Sequence, residues 1–162
     1  MILFTGGTFD LFHYGHMEFL RSCRKLCTKL VVSLNSDEFI ERYKGKSPIL
    51  NFEERRKSLL LSGWVDDVIL NTHDEDSKPT ILSVKPDIIA IGDDWRKKDY
   101  YSQMGFSQEW LDNNDILLIY IPYTKNISTT IIKERLNDKS CSLKKRAIRY
   151  LYWKTFKIWK PF

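Results

Sequence analysis

No apolar run in this chain of 162 residues reaches the roughly 18–20 residues that a membrane-spanning helix needs, which excludes a transmembrane class. Cysteine is scarce. Cys23, Cys27 and Cys141 are an odd number without metal-type spacing, so a disulfide framework or a zinc module is not expected. Core thiols in a reducing cytoplasm are the expected reading. The segment Met1-Ile2-Leu3-Phe4-Thr5 lacks the basic start of a secretory leader, and Gly6-Gly7 cuts it short, so it reads as a strand. Internal repeats and low-complexity linkers are absent. Residues 139–162 contain no acid at all but eight Lys or Arg. Removing those eight from the total of 26 leaves 18 basic against 21 acidic residues in 1–138, a balance of −3. The body is therefore mildly acidic, which argues against a globally nucleic-acid-binding domain.

What is present fits one domain with one core, over residues 1–138, and a separate basic aromatic tail over 139–162. At 43% hydrophobic and 14% aromatic the chain is too apolar to be disordered. Short apolar runs alternate with helical spacing. The pattern predicts strands at Ile2–Thr5, Leu30–Leu34, Val65–Leu70, Ile88–Ile91 and Ile116–Ile121, the last buried on both faces. Helices are predicted over His16–Cys27, from Ser36 or Asp37 through Glu41, over Phe52–Gly63 with Asn51 as cap, over Lys78–Val84, and from Ser128 to about Leu136. This βαβα order implies a Rossmann-like, doubly wound, five-stranded parallel sheet in three α/β/α layers. Ligands of such sheets bind beyond the carboxyl ends of the strands.

The chemistry-bearing segments lie just there. Gly6-Gly7-Thr8-Phe9-Asp10-Leu11-Phe12-His13-Tyr14-Gly15-His16 leaves the first strand. A glycine turn lets backbone N–H groups approach an anion, and a helix N-terminus favours phosphate. His13 and His16, three apart at that entrance, are able to donate to phosphate oxygens as charge grows on them. They are two of only three histidines in the chain. Ser128-Thr129-Thr130 opens the last helix with hydroxyls and free amides, a second anion site that also caps the helix. Arg42-Tyr43-Lys44-Gly45-Lys46 places a glycine between two lysines, as a loop folding over polyphosphate requires. Gly92-Asp93-Asp94-Trp95 ends the fourth strand. Its acidic pair suits either a metal or the hydroxyls of a ribose or polyol, and Trp95 offers a flat apolar wall.

Thr8-Phe9-Asp10 followed by His13-x-Gly15-His16 resembles the signature of the cytidylyltransferase superfamily. Ile127-Ser128-Thr129-Thr130 is similar to its I-S-T-[ST] motif, and Gly92–Trp95 resembles the glycerol-3-phosphate cytidylyltransferase branch. The likeness runs from about Ile2 to Leu136, with the three motifs in order. It implies that His13, His16 and Lys46 are catalytic. It further implies that Gly7, Thr8, Phe9, Asp10, Tyr14, Gly15, Asp94, Tyr123, Thr124, Ile127, Ser128, Thr129 and Thr130 join them in binding the nucleotide. Lys44, Arg55, Lys78 and Trp95 fall to the phosphorylated acceptor. No protein metal ligands are implied, and Mg²⁺ would travel with the nucleotide phosphates. A homodimer is implied as well.

Two departures stand out. Tyr123-Thr124-Lys125-Asn126 replaces the family's Arg-Thr-x-Gly, with Lys125 a partial substitute for the arginine and Asn126 able to take the turn. Gly63 replaces an arginine ahead of Trp64-Val65-Asp66. Both bear on acceptor and base preference more than on reaction type. The expected reaction is transfer of CMP from CTP to a small phosphorylated alcohol, with pyrophosphate released. The alternatives are adenylyl transfer to a sugar phosphate, pantetheine phosphate or flavin, and a non-catalytic nucleotide sensor.

Residues 96–115 are longer than a simple connection needs. With Tyr100, Tyr101, Phe106, Trp110 and Leu111 they are expected to form a short helix that shapes the acceptor pocket. In the tail, Ile148, Leu151, Tyr152, Phe156 and Trp159 fall at helical spacing among basic residues. Such a basic amphipathic helix suits packing on the body or a partner subunit, an anionic membrane surface, or nucleic acid. Cytoplasmic placement, with the tail reaching the inner face of the membrane, is the expectation for the second case.

Overall fold

The computed structural model describes residues 1–73, 75–94, 101, 104–122 and 124–137. The chain divides into two compact units, Met1–Lys125 and the segment starting at Asn126. The expected boundary after residue 138, the tail and its helix lie outside the described residues.

The first unit is a five-stranded, all-parallel sheet in the order β3-β2-β1-β4-β5. The strands are β1 (Ile2–Gly7), β2 (Lys29–Asn35), β3 (Asp67–Asn71), β4 (Ile88–Gly92) and β5 (Leu117–Ile121). Alternation divides the core between two faces. On one, Leu3, Val32, Val68, Ile88 and Ala90 pack with Leu20 and Cys23 of α1 (Tyr14–Arg24) and Leu59 of α3 (Phe52–Leu61). On the other, Phe4, Ile89 and Ile91 pack with Ile81 of α4 (Lys78–Val84) and Leu111 of α5 (Gln108–Asn113). Helices on both faces of a parallel sheet make the Rossmann-like arrangement that the element order implied. The order reverses between β1 and β4, so the carboxyl ends of those two strands flank the crevice where such folds bind ligands.

Local chemistry sets the helix boundaries. Ser36 caps α2 (Asp37–Lys44) by accepting the Phe39 N–H at 3.0 Å, and left-handed Gly45 (φ 67°) ends it. Asn51 and Glu54 form a reciprocal capping box on α3. Ser107 caps α5. In the second unit, α6 (Thr129–Asn137) starts after Ser128, whose Oγ accepts the Ile131 N–H at 3.1 Å. Asn126 takes φ 65°, a conformation asparagine tolerates.

Two expectations change. Helix α1 begins at Tyr14, two residues early, because His13 adopts an extended cap conformation. Strand β5 is not buried on both faces. Among the described residues it is a sheet edge paired only with β4, and Leu117 is 58% exposed. Cys23 is fully buried, and its burial pushes the thiol pKa up to about 12, so it is an inert core residue.

Candidate active site

The chain leaves β1 through Gly6-Gly7 and reaches α1 by a turn in which Phe9 (φ 50°) and Leu11 (φ 52°) are left-handed. For residues with side chains of this size such backbone costs free energy and is found where surrounding structure enforces it. Gly7 makes the turn possible: a Cβ there would meet the Phe9 ring at 3.0 Å. The buried Phe9 ring packs against His16, with centroids 5.1 Å apart, and Phe12 stacks on His16 at 6.1 Å.

His13 and His16 stack face to face, with centroids 3.8 Å apart and planes 18° from parallel. They face each other as in a capping box, in which the His13 N–H donates to His16 Nδ1 at 3.4 Å. The His13 Nδ1 is buried without a hydrogen-bond partner among the described residues. Burial pulls the His16 pKa down to about 3, helped by His13 and Lys44 and opposed by Asp10. His13 is also lowered, by burial. Both imidazoles are therefore neutral at neutral pH. Because His16 Nδ1 accepts from a backbone amide, its hydrogen resides on Nε2 and makes that atom a donor. Such a donor suits developing phosphate charge without first taking up a second proton.

The lysine segment approaches the same turn. Lys44 Nζ donates to Thr8 Oγ1 at 3.0 Å, and its charge acts on His16. Lys46 lies beyond Gly45 on an exposed stretch. Tyr14 is exposed beside Gly15 on the first turn of α1. Lys78 opens α4 near the carboxyl end of β3, 3.9 Å from Asp76. Asp93 and exposed Asp94 follow the end of β4. Thr124 follows β5. Trp95 and Tyr123 lie outside the described residues. In the second unit, Ile127, Ser128, Thr129 and Thr130 form the amino end of α6, with Ser128 already spent as its cap.

Two expected ligand contacts have a different setting. Arg55 is 0% exposed, and its guanidinium donates to the carbonyls of Leu50, Thr8 and Asn35 and to the Asp37 carboxylate. Asp10, 4% exposed, accepts the N–H groups of Ile49 and Leu50. Neither presents its charge to solvent.

Sequence reasoning missed Met104. Its Cε lies 4.0 Å from where a Gly6 Cβ would sit, its carbonyl accepts the Ser77 N–H at 3.2 Å, and its sulfur accepts Ser77 Oγ at 3.5 Å. It joins the β1 turn to the segment carrying Lys78. Asn35 and Asn71, paired across the ends of β2 and β3, were missed as well. Nothing local in the sequence signals contacts between segments so far apart. A surface groove lined by Met1, Leu26, Thr28, Ile88, Leu117 and Ile119 sits at the amino ends of the strands. It is apolar and lies opposite the histidines, so it is not the phosphate site.

Residues 4–135 match the model of a family described as cytidylyltransferase-like. The chain is 35% identical over 132 residues to glycerol-3-phosphate cytidylyltransferase of Bacillus subtilis, covering 82% of this chain and 94% of that protein. It is 39% identical over 137 residues to an FAD synthase of Pyrococcus horikoshii, covering 85% and 93%. Among solved structures it resembles the lipopolysaccharide core biosynthesis protein of Thermoplasma volcanium, with a TM-score of 0.61 and 29% identity over 78% of this chain and 98% of that one.

Proposed function

The chain belongs to the cytidylyltransferase-like family of nucleotidyltransferases, and from that premise we propose that it transfers CMP from CTP to a small phosphorylated alcohol resembling glycerol 3-phosphate. The observation that carries this reading is the stacked, neutral His13–His16 pair at the start of α1, with Lys44 beside it.

The acceptor phosphate attacks the α-phosphorus of the NTP in line. A new P–O bond forms, the bond to the β-phosphate oxygen breaks, and pyrophosphate leaves. With a second pKa near 6, a phosphate monoester is mostly dianionic at neutral pH and needs no strong base. Catalysis then rests on positioning and charge stabilisation. His16 donates from Nε2, and His13 lies alongside it against the α-phosphoryl and departing pyrophosphate. Lys46 neutralises nucleotide phosphates, and Lys44 and Lys78 hold the acceptor. Asp94 accepts hydrogen bonds from ligand hydroxyls, and the family resemblance gives Trp95 to the acceptor. The Ile127-Ser128-Thr129-Thr130 motif supports a phosphate-binding role for Thr129 and Thr130. Magnesium arrives as the Mg²⁺–NTP complex and keeps largely phosphate and water ligands.

A second reading, adenylyl transfer, is favoured by the likeness to the FAD synthase. The Gly92-Asp93-Asp94-Trp95 segment favours the cytidylyl reading. Pyrophosphate release with CTP, ATP, UTP and GTP, each crossed with a panel of phosphorylated alcohols and FMN, decides between them. Any release excludes a non-catalytic sensor. We also propose a homodimer, and an anionic membrane surface as the target of residues 143–162.

A further inference from the structure

The segment that carries the two lysines, α2 and the turn after it, begins and ends on one buried cation. Its first residues, Asn35 and Asp37, meet the Arg55 guanidinium through a carbonyl at 2.9 Å and a carboxylate. Its last, Leu50, meets the same group through its carbonyl at 3.0 Å. A further N–H holds the Thr8 carbonyl at 2.8 Å, fixing the turn that leads to the histidines. The Phe52 ring lies under the guanidinium at 5.8 Å. From the other side, the Asp10 carboxylate takes the Ile49 and Leu50 amides at 3.0–3.1 Å. Between these anchors residues 41–47 are exposed, and no described residue lies within 4 Å of a Cβ built on Gly45. The segment is thus pinned at both ends and open in the middle, where Lys44 and Lys46 are.

We infer that Arg55 and Asp10 are positioning residues that pin the lysine loop to the β1 turn, and that neither contacts substrate. A buried guanidinium is stable only while its donors are matched, and its partners here are the backbone of three separate segments. Its five forked donors serve several acceptors at once. A lysine ammonium has three donors on one atom and cannot span them. Asp10 acts in the same way with opposite charge. The inference deepens the proposed function, because the roles of Lys44 and Lys46 rest on that reading, but the tether itself does not.

The test uses the full-length protein with Arg55→Lys, Asp10→Asn and, as control, Arg56→Ala. Arg56 neighbours Arg55 but is partly exposed on the outer side of α3. The first readout, limited trypsin digestion followed by mass of the fragments, is independent of activity. Cleavage at Arg42, Lys44 and Lys46 is expected to speed up about tenfold or more in Arg55→Lys and Asp10→Asn and to stay near wild type in Arg56→Ala, because loss of an anchor lowers local rather than global stability. The second readout is kinetic. The KM values for nucleotide and acceptor are expected to rise together, since one lysine serving each rides on the loop. Unchanged cleavage with a higher acceptor KM alone would overturn the inference and make Arg55 a direct phosphate ligand. If Arg55→Lys fails to fold, Asp10→Asn decides: faster cleavage confined to the loop supports the tether, and wild-type cleavage overturns it. A wild type that releases no pyrophosphate contradicts the proposed function and leaves the digestion result to stand by itself.

Discussion

Protonation of His16 would place a charge among two phenyl rings and a second imidazole, with Lys44 close by. The folded state resists that charge and the unfolded chain does not. Between the folded pKa of about 3 and the ordinary 6.5, the unfolded chain therefore binds more protons. Stability from this source is complete above pH 6.5 and is lost as the pH falls toward 3. By pH 5 the loss amounts to about 1–2 kcal/mol, with His13 acting in the same direction. Urea unfolding at pH 7.5 and pH 5.0 checks this. The wild type is expected to weaken on acidification clearly more than His16→Gln, and equal weakening would contradict the neutral histidine. The histidine pair was legible in the sequence because a glycine turn and two histidines three apart form a local pattern. The setting of Arg55 was not, since its partners Thr8 and Asn35 are 47 and 20 residues away. A motif identifies a residue type without showing which way its side chain faces.

At the scale of elements, caps and turns carried most of the information. Ser36, Asn51 and Ser128 each begin a helix where their side chains allow, and Gly45 ends one. Apolar runs located all five strands to within a residue or two, but burial of β5 depended on its place at the sheet edge, which no local pattern encodes. The segment after β4 shows the same limit. Its aromatic content predicted a short helix that shapes the acceptor pocket; a short helix forms, and Phe106, Trp110 and Leu111 pack on the second face of the sheet. That Met104 bridges Gly6 and Ser77 emerges only when the chain folds. A flexible thioether fits irregular surfaces, and we propose that this one lines the acceptor site. Met104→Ala is expected to change the preference between glycerol 3-phosphate and a longer polyol phosphate about tenfold, as one or two methylenes do in an apolar contact, while the nucleotide KM stays near wild type. Measured kcat/KM ratios check this, and an unchanged ratio would contradict a place for Met104 at the acceptor.

Across the whole molecule, charge is divided along the chain. Residues 1–138 are mildly acidic, whereas residues 139–162 carry eight basic side chains and no acid. An anionic membrane repels the first and attracts the second, so any membrane affinity should depend wholly on the tail and fall with salt. No helix among the described residues is long and apolar enough to cross a bilayer. Sedimentation with anionic vesicles is expected to pellet the full chain but not a chain ended after Ser140, and neither with zwitterionic vesicles. Equal pelleting of the two chains would end this proposal.

The central claim is nucleotidyl transfer at the histidine pair, and pyrophosphate release tests it most directly. Wild type and His16→Ala are compared with Mg²⁺, four NTPs and the acceptor panel. The account predicts release by the wild type with CTP and a glycerol-phosphate-like acceptor, and at least ~100-fold slower turnover in His16→Ala, the scale of one lost electrostatic donor. Release that requires ATP instead would move the protein to adenylyl transfer. Near-normal turnover in His16→Ala, or no release from any pair, would contradict the account.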